Sequence, residues 1–172
     1  MIVTTYCKDK CCAIVTTTRY LSRQNYHQKN KIRAGALIYD SETERILLIQ
    51  SRRMKWGLPK GSYEDCDGTI EIDGRSKPNL RATALREVRE ETGIIIPPAL
   101  LDDSSVCRVY RCLYYYVELP VDKVTLSDSA MNDSTGMMWI RPHCLVQLIR
   151  AGKIDVNAHF RHVFREVFKM TI

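Results

Sequence analysis

The sequence predicts a mixed α/β fold in a single domain, and three observations carry that prediction. Runs of β-branched and aromatic residues alternate along the chain with segments whose apolar residues recur at helical spacing. Glycines, prolines and Asp/Ser clusters punctuate the boundaries between them. At 172 residues the chain is long enough for one well-buried core and short for two. A mixed sheet packed between helices buries both kinds of element economically.

Each element has its own signal. Residues 11–20 (Cys-Cys-Ala-Ile-Val-Thr-Thr-Thr-Arg-Tyr) are rich in β-branched side chains and predict a strand with a poorly defined apolar face. Arg33–Tyr39 and Arg45–Gln50 are apolar runs joined by Asp40-Ser41-Glu42-Thr43-Glu44, the pattern of a hairpin. Trp56-Gly57-Leu58-Pro59-Lys60-Gly61 reads as a loop from its glycines and proline. Residues 62–78 are polar, carry Gly68, Gly74 and Pro78, and read as an exposed insertion. Asn79 is placed to cap a helix that runs to Thr92 and is stopped by Gly93. Leu80, Ala84, Leu85 and Val88 form its buried stripe.

Beyond Pro97-Pro98, Val109–Glu118 predicts a long strand. Tyr110, Cys112, Tyr114 and Tyr116 lie on one face, with Arg111, Leu113, Tyr115 and Val117 on the other. Gly136–Ile140 is a short strand bearing Trp139. Pro142 opens a helix that ends at Gly152. A last helix starts near Asn157, where Val156, Phe160, Val163, Phe164, Val167 and Phe168 recur at helical spacing against a core. His159 and His162 lie off that stripe and read as surface residues. Trp139 and the tyrosines of 110–116 read as core or sheet-face residues rather than platforms for stacked bases.

Composition narrows the function classes. Hydrophobic content of 45% with 27% charged residues is that of an ordinary globular protein. The net charge of +6 points to an anionic partner: nucleic acid, a polyphosphate or a charged surface. Seven cysteines stand at 7, 11, 12, 66, 107, 112 and 144, with none in a C-x-x-C pair. That spacing argues against a zinc knuckle or redox motif and for reduced thiols, Cys7, Cys11 and Cys12 included. Lys8, Asp9 and Lys10 interrupt any N-terminal signal segment. No apolar run approaches the ~18 residues of a spanning helix. The expectation is a protein of a reducing compartment, cytoplasm or nucleus, without a membrane partner.

The most informative stretch is Arg86-Glu87-Val88-Arg89-Glu90-Glu91-Thr92-Gly93-Ile94. On a helix, Glu87, Glu90 and Glu91 stand at i, i+3 and i+4 and share one patch. Like charges at that spacing repel by about 0.2–0.5 kcal/mol per pair, and no Lys or Arg falls inside the triangle they define. A divalent cation is the simplest counterweight, so the run is a metal-site candidate on geometry alone.

With Gly61 and Asp67 upstream, the same run resembles the Nudix box, G-x5-E-x7-R-E-U-x-E-E-x-G-U, where U is a bulky aliphatic residue. Its C-terminal half matches at every specified position. The N-terminal half departs twice. Asp67 stands where the pattern has Glu, and the spacer over residues 68–85 is eighteen long where the family has seven, an insertion of eleven. Asp67, Glu64 and Glu71 are all candidates for the first acid. Trp56-Gly57-Leu58-Pro59-Lys60-Gly61 further resembles the entry loop of Nudix mRNA-decapping enzymes and some dinucleoside polyphosphate hydrolases. From the tyrosine-rich strand through Trp139 to the Phe-rich helix, the chain is more similar to diphosphoinositol polyphosphate phosphohydrolases.

The resemblance implies a Nudix-type α/β/α sandwich over residues 31–172, with a catalytic loop-helix-loop. Residues 1–30 are then an N-terminal extension carrying one strand packed on the domain. It also implies a hydrolase of phosphoanhydride bonds that depends on Mg²⁺ or Mn²⁺. Such hard cations prefer oxygen ligands, neutralise phosphate charge and activate water. Glu90, Glu91 and the Gly61 carbonyl are the expected metal ligands, Glu87 a further ligand or the general base, and Arg86 the residue that orients the glutamates. Lys60, Arg52, Arg53, Lys55, Arg108 and Arg111 are the expected substrate contacts. Many relatives supply another acid one residue before the Trp of the late strand. Here that place holds Met138, with Asp128, Asp133 and Glu118 as the nearby acids. Three readings follow: a hydrolase of dinucleoside or diphosphoinositol polyphosphates, an mRNA-decapping enzyme releasing m⁷GDP from capped RNA, and a non-catalytic Nudix fold that binds nucleotide or RNA.

Overall fold

Residues 33–40 alternate between two cores, and that alternation layers the molecule. Ala34, Ala36 and Ile38 pack into one apolar cluster, whereas Leu37 packs into another. The computed structural model describes residues 2–17, 31–50, 54–126 and 134–172. In chain order its strands are β1 (Ile2–Tyr6), β2 (Ala13–Thr17), β3 (Arg33–Asp40), β4 (Arg45–Gln50), β5 (Trp56–Gly57), β6 (Lys60–Ser62), β7 (Thr69–Ile72) and β8 (Arg75–Pro78). Helix α1 (Leu80–Thr92) follows, then β9 (Ile94–Ile95), β10 (Val106–Val109), β11 (Cys112–Glu118), β12 (Thr125–Leu126) and β13 (Gly136–Ile140). Helices α2 (Pro142–Arg150) and α3 (Ala158–Phe168) close the chain.

The main sheet runs β1-β2-β13-β4-β3-β11-β10, with β5 paired to β4 and β6 to β3. β11 lies parallel to β3, and the other neighbours are antiparallel, so the sheet is mixed. Ala84 and Val88 of α1 cover one face, against Ala34, Ala36, Ile38, Leu47, Tyr115 and Val117. On the other face α2 and α3 bring Leu145, Leu148, Phe160, Val163 and Phe164 onto Leu37, Ile46, Leu48, Tyr114 and Met138. This is an α/β/α sandwich. No described helix is long and apolar enough to cross a membrane.

Local chemistry sets the helix ends. The Asn79 side chain accepts from the Ala82 backbone N–H at 3.1 Å, and Gly93 ends α1 in the left-handed region at φ 76°. Asn157 caps α3 in the same way, accepting from the Phe160 N–H at 2.9 Å.

Several elements differ from expectation. The polar insertion is not irregular: β7 and β8 form an antiparallel hairpin, with Asp73 (φ 53°) and Gly74 (φ 68°) in its turn. An Asp-Gly pair with both φ positive matches the right-handed twist of the strands it joins. The predicted 109–118 strand breaks at Tyr110, whose φ of 52° turns the chain between β10 and β11. The predicted 56–61 loop instead contributes two short pairings, β5 and β6. Val167, expected in the α3 stripe, is 39% exposed. Residues 2–17 supply two strands rather than one, β1 pairing with β2 and β2 with β13; positions 18–20 of the predicted 11–20 strand lie outside the described residues.

Candidate active site

The site is built where β6 and α1 meet. β6 pairs with β3 in the register Ala34↔Gly61 and Gly35↔Lys60. A Cβ added at Gly61 would run into the Glu87 carboxyl group, and one at Gly35 into the Pro59 carbonyl and Lys60. Glycine at these two positions lets the loop, the sheet and the helix approach closely enough for contact. The backbone N–H of Lys60 donates to Glu91 Oε2 at 2.7 Å, so loop and helix are also hydrogen-bonded.

Arg86 is the hub. Its Nε donates to Asp67 Oδ1 at 2.7 Å and its Nη2 to Asp67 Oδ2 at 3.0 Å, a two-pronged pair. Nη1 reaches Glu87 Oε1 at 2.9 Å and Glu90 Oε2 at 3.1 Å, and Nη2 also donates to the Ser62 carbonyl at 2.8 Å. Of the three candidate acids, Asp67, not Glu64 or Glu71, meets the Arg86 guanidinium. Thr83 Oγ1 donates to Asp67 at 2.8 Å and the Glu64 N–H at 3.0 Å. Burial alone would raise the Asp67 pKa, but these hydrogen bonds and the Arg86 charge outweigh it and hold the carboxyl below its ordinary value.

The three glutamates share one patch, as their spacing predicts, but Arg86 is not outside it: the guanidinium bridges two of the three. Burial pushes the Glu87 carboxyl up to about 7, against the lowering effect of Arg86. The Glu90 side chain is 45% exposed. Asp67, Glu87, Glu90 and Glu91 together outnumber the one guanidinium among them, and every donor is a carboxylate oxygen. Such a set fits a hard divalent cation.

The other expected contacts divide. Lys60 borders the site through its backbone, and its charge depresses the pKa of the half-buried His159 after burial, the larger cause. His159 Nδ1 lies 3.2 Å from the Tyr114 hydroxyl and its ring packs near Tyr110, so it is not the plain surface residue expected. Lys55 is paired instead with Asp155 at 2.9 Å. Arg108 is exposed on β10, and Arg111 stands in the β10–β11 turn, its carbonyl accepting from the Arg33 N–H at 2.9 Å. Arg52, Arg53, Asp128 and Asp133 lie outside the described residues.

Met138 is 1% exposed in the core beneath α2 and α3. Glu118 pairs in register with Tyr39, five residues along β3 from the Ala34 that holds Gly61, roughly 17 Å at strand rise. It accepts from the Ser41 hydroxyl at that far end and is no part of the site. Sequence reasoning missed Thr83 and Ser134. Thr83 was detectable, since i and i+3 put it on the Arg86 face. Ser134, whose hydroxyl donates to the Glu91 carbonyl at 2.7 Å, gave no signal.

A model of the NUDIX domain matches residues 29–159. The chain belongs to the NUDIX family. As a member it is a hydrolase acting on phosphoanhydride bonds, in a family that uses divalent metals. Protein 111R of Invertebrate iridescent virus 3, whose name includes the word hydrolase, is 29% identical over 152 residues, covering 84% of this chain and 81% of its own. DR0079 of Deinococcus radiodurans superposes with a TM-score of 0.56 at 15% identity, over 90% of this chain and 99% of that one. A MutT/nudix family protein from Enterococcus faecalis gives a TM-score of 0.43 at 20% identity over 69% of this chain, which spans 46% of that longer chain. The likeness to DR0079 speaks to the fold alone.

Proposed function

We propose that the chain is a divalent-metal-dependent pyrophosphohydrolase whose substrate is a small, highly charged nucleoside or inositol polyphosphate, of the dinucleoside polyphosphate or diphosphoinositol polyphosphate type. The observation that carries this reading is the joining of Glu87, Glu90 and Glu91 to the Lys60-Gly61 loop through Arg86 and the Lys60 N–H. A non-catalytic binder has no need of that whole set.

Glu90, Glu91 and the Gly61 carbonyl would hold Mg²⁺ or Mn²⁺, which when bound neutralises phosphate charge and makes water acidic enough to attack. Glu87, wedged against Gly61 with its pKa pushed up to about 7 by burial, serves as a further ligand or takes the proton from the attacking water. Arg86 keeps the carboxylates oriented without touching substrate. Lys60 contacts phosphate, with Arg108 and Arg111 on the neighbouring hairpin as outer contacts. Asp155 already holds Lys55, so its expected phosphate contact requires that pair to open.

The net charge of +6 supports a second reading, decapping, because an RNA body adds salt-dependent phosphate contacts. One substrate panel with added Mn²⁺ separates the two. Cleavage of diadenosine polyphosphate or a diphosphoinositol with capped RNA inert upholds the first reading. Release of m⁷GDP from capped RNA, with affinity falling steeply as salt rises, replaces it with the second. A panel with no cleavage at all, with nucleotide still bound, leaves only the non-catalytic reading.

A further inference from the structure

On the opposite side of the sheet from α1, four cysteines converge. Cys7, Cys11 and Cys12 come from the loop between β1 and β2, and Cys144 comes from the first turn of α2; their sulfurs all lie within 4.8 Å of one another. Cys11 Sγ is 3.5 Å from each of Cys7, Cys12 and Cys144. We propose that this cluster is a structural Zn²⁺ site of four thiolates that ties the N-terminal hairpin to the body of the domain. The inference is independent of the catalytic reading.

Size is the first argument. A tetrahedral zinc with Zn–S bonds of ~2.3 Å has sulfur–sulfur edges of ~3.8 Å, close to the 3.5 Å separations here. A disulfide needs ~2.05 Å, and all seven cysteines are free. All four sulfurs lie within 4.8 Å of one another with no bonded pair, separations that one shared ion can span.

The surroundings are the second argument. The Lys10 N–H donates to the Cys7 carbonyl and the Cys7 N–H to the Cys12 carbonyl, so a closed turn presents all three loop thiols. β2 and β13 pair in the register Ile14↔Met138, and just past the ends of the two strands the backbone N–H of Arg141 points at Cys12 Sγ, 3.4 Å away. N–H groups directed at ligand sulfurs are the outer support that metal-bound thiolates use. Arg45 donates to the Cys11 carbonyl at 2.7 Å, and its Nε is buried with no hydrogen-bond partner among the described residues. That cation is placed to offset a four-thiolate zinc centre, which carries two negative charges once four protons have left to solvent.

Chemistry selects the ion. Four sulfurs in a tetrahedral shell suit zinc or an iron–sulfur centre and exclude Mg²⁺ and Ca²⁺. Zinc is chosen because the cluster has the dimensions of a single-ion cage. The C-x3-C-C spacing hides the site from sequence, since the fourth ligand stands 133 positions from Cys11.

The test is metal analysis of the full chain produced in zinc-containing medium. The expected result is about one zinc per chain, falling to near zero in Cys144→Ser and Cys11→Ser but unchanged in Cys66→Ser and in the double variant Glu90→Gln, Glu91→Gln. Melting temperature should fall by roughly 5 °C or more when the thiol site is emptied. If the cysteine variants do not fold, Co²⁺ exchange into the parent chain decides the matter, by the presence or absence of strong thiolate-to-cobalt charge-transfer absorption. The proposal is overturned if no zinc is taken up, if Cys144→Ser keeps the parent's zinc, if the Glu variant loses it, or if the bound metal is iron.

Discussion

The acidic site and the thiol cluster make an instructive pair, because each gathers ligands of one chemical class and they belong to cores on opposite faces of the sheet. The three glutamates come from five consecutive positions on one helix, met by a short loop through two glycine-permitted contacts. The thiols come from two chain segments that only the β2–β13 pairing brings together. The acidic set runs from the covered Asp67 and Glu87 to the half-exposed Glu90 and carries excess charge that Arg86 only partly relieves. The thiol set is mostly buried: Cys7, Cys12 and Cys144 are covered and Cys11 is partly so.

That contrast predicts separable failures. Glu91→Gln should reduce kcat by roughly a thousandfold, while the melting temperature and the thiol cluster stay unchanged; full activity in a Mn²⁺-supplemented phosphate-release assay would remove Glu91 from the catalytic set.

Asp67→Asn should act on stability as well as on rate. It leaves Arg86 with Glu87, Glu90 and the Ser62 carbonyl, a loss of about 2–3 kcal/mol in a urea melt, below that for breaking a fully buried pair because the arginine is partly exposed and keeps these partners. The Asp67 pKa is lowered in the folded chain. Its contribution is therefore present above the unfolded value of ~3.9 and drains away as pH falls through the folded one. The variant should lose that part of the parent's acid sensitivity, and identical acid-melting curves would contradict the assignment.

Gly61→Ala drives a methyl into the Glu87 carboxyl. An overpacking penalty of about 1–3 kcal/mol is expected, with a fall in kcat larger than the rise in KM, because the displaced group belongs to the catalytic set rather than to substrate binding. The smallest effect should be at the hairpin turn. Gly74→Ala, at φ 68° with open space around it, should destabilise by about 1 kcal/mol and leave turnover alone. A change in substrate preference there would mean that the β7–β8 insertion reaches the substrate.

Legibility followed the range of the interactions. The bounds of helix α1 could be read to the residue because its cap and stop are local, while of its expected stripe Ala84 and Val88 are buried and Leu80 and Leu85 only partly so. Local signals also existed where the reading missed them: Thr-Ile-Glu-Ile before Asp-Gly is a hairpin signature that the charged residues around it obscured. The break at Tyr110 was hidden because a tyrosine at positive φ gives no warning in composition. Choosing Asp67 over Glu64 and Glu71 required the fold of the loop, since all three acids are within reach of a flexible segment and only one meets Arg86.

By itself, then, the sequence determined the α/β class, helix α1 and the clustering of its glutamates, because those depend on periodicity and contacts within a few positions. Only the tertiary structure decided that Asp67 anchors Arg86, that Met138 and Glu118 stand outside the site, that Lys55 is committed to Asp155, and that Cys144 joins three cysteines from the far end of the chain. Each of those outcomes is set by strand register or loop closure, which bring together residues whose separation along the chain carries no trace of the meeting.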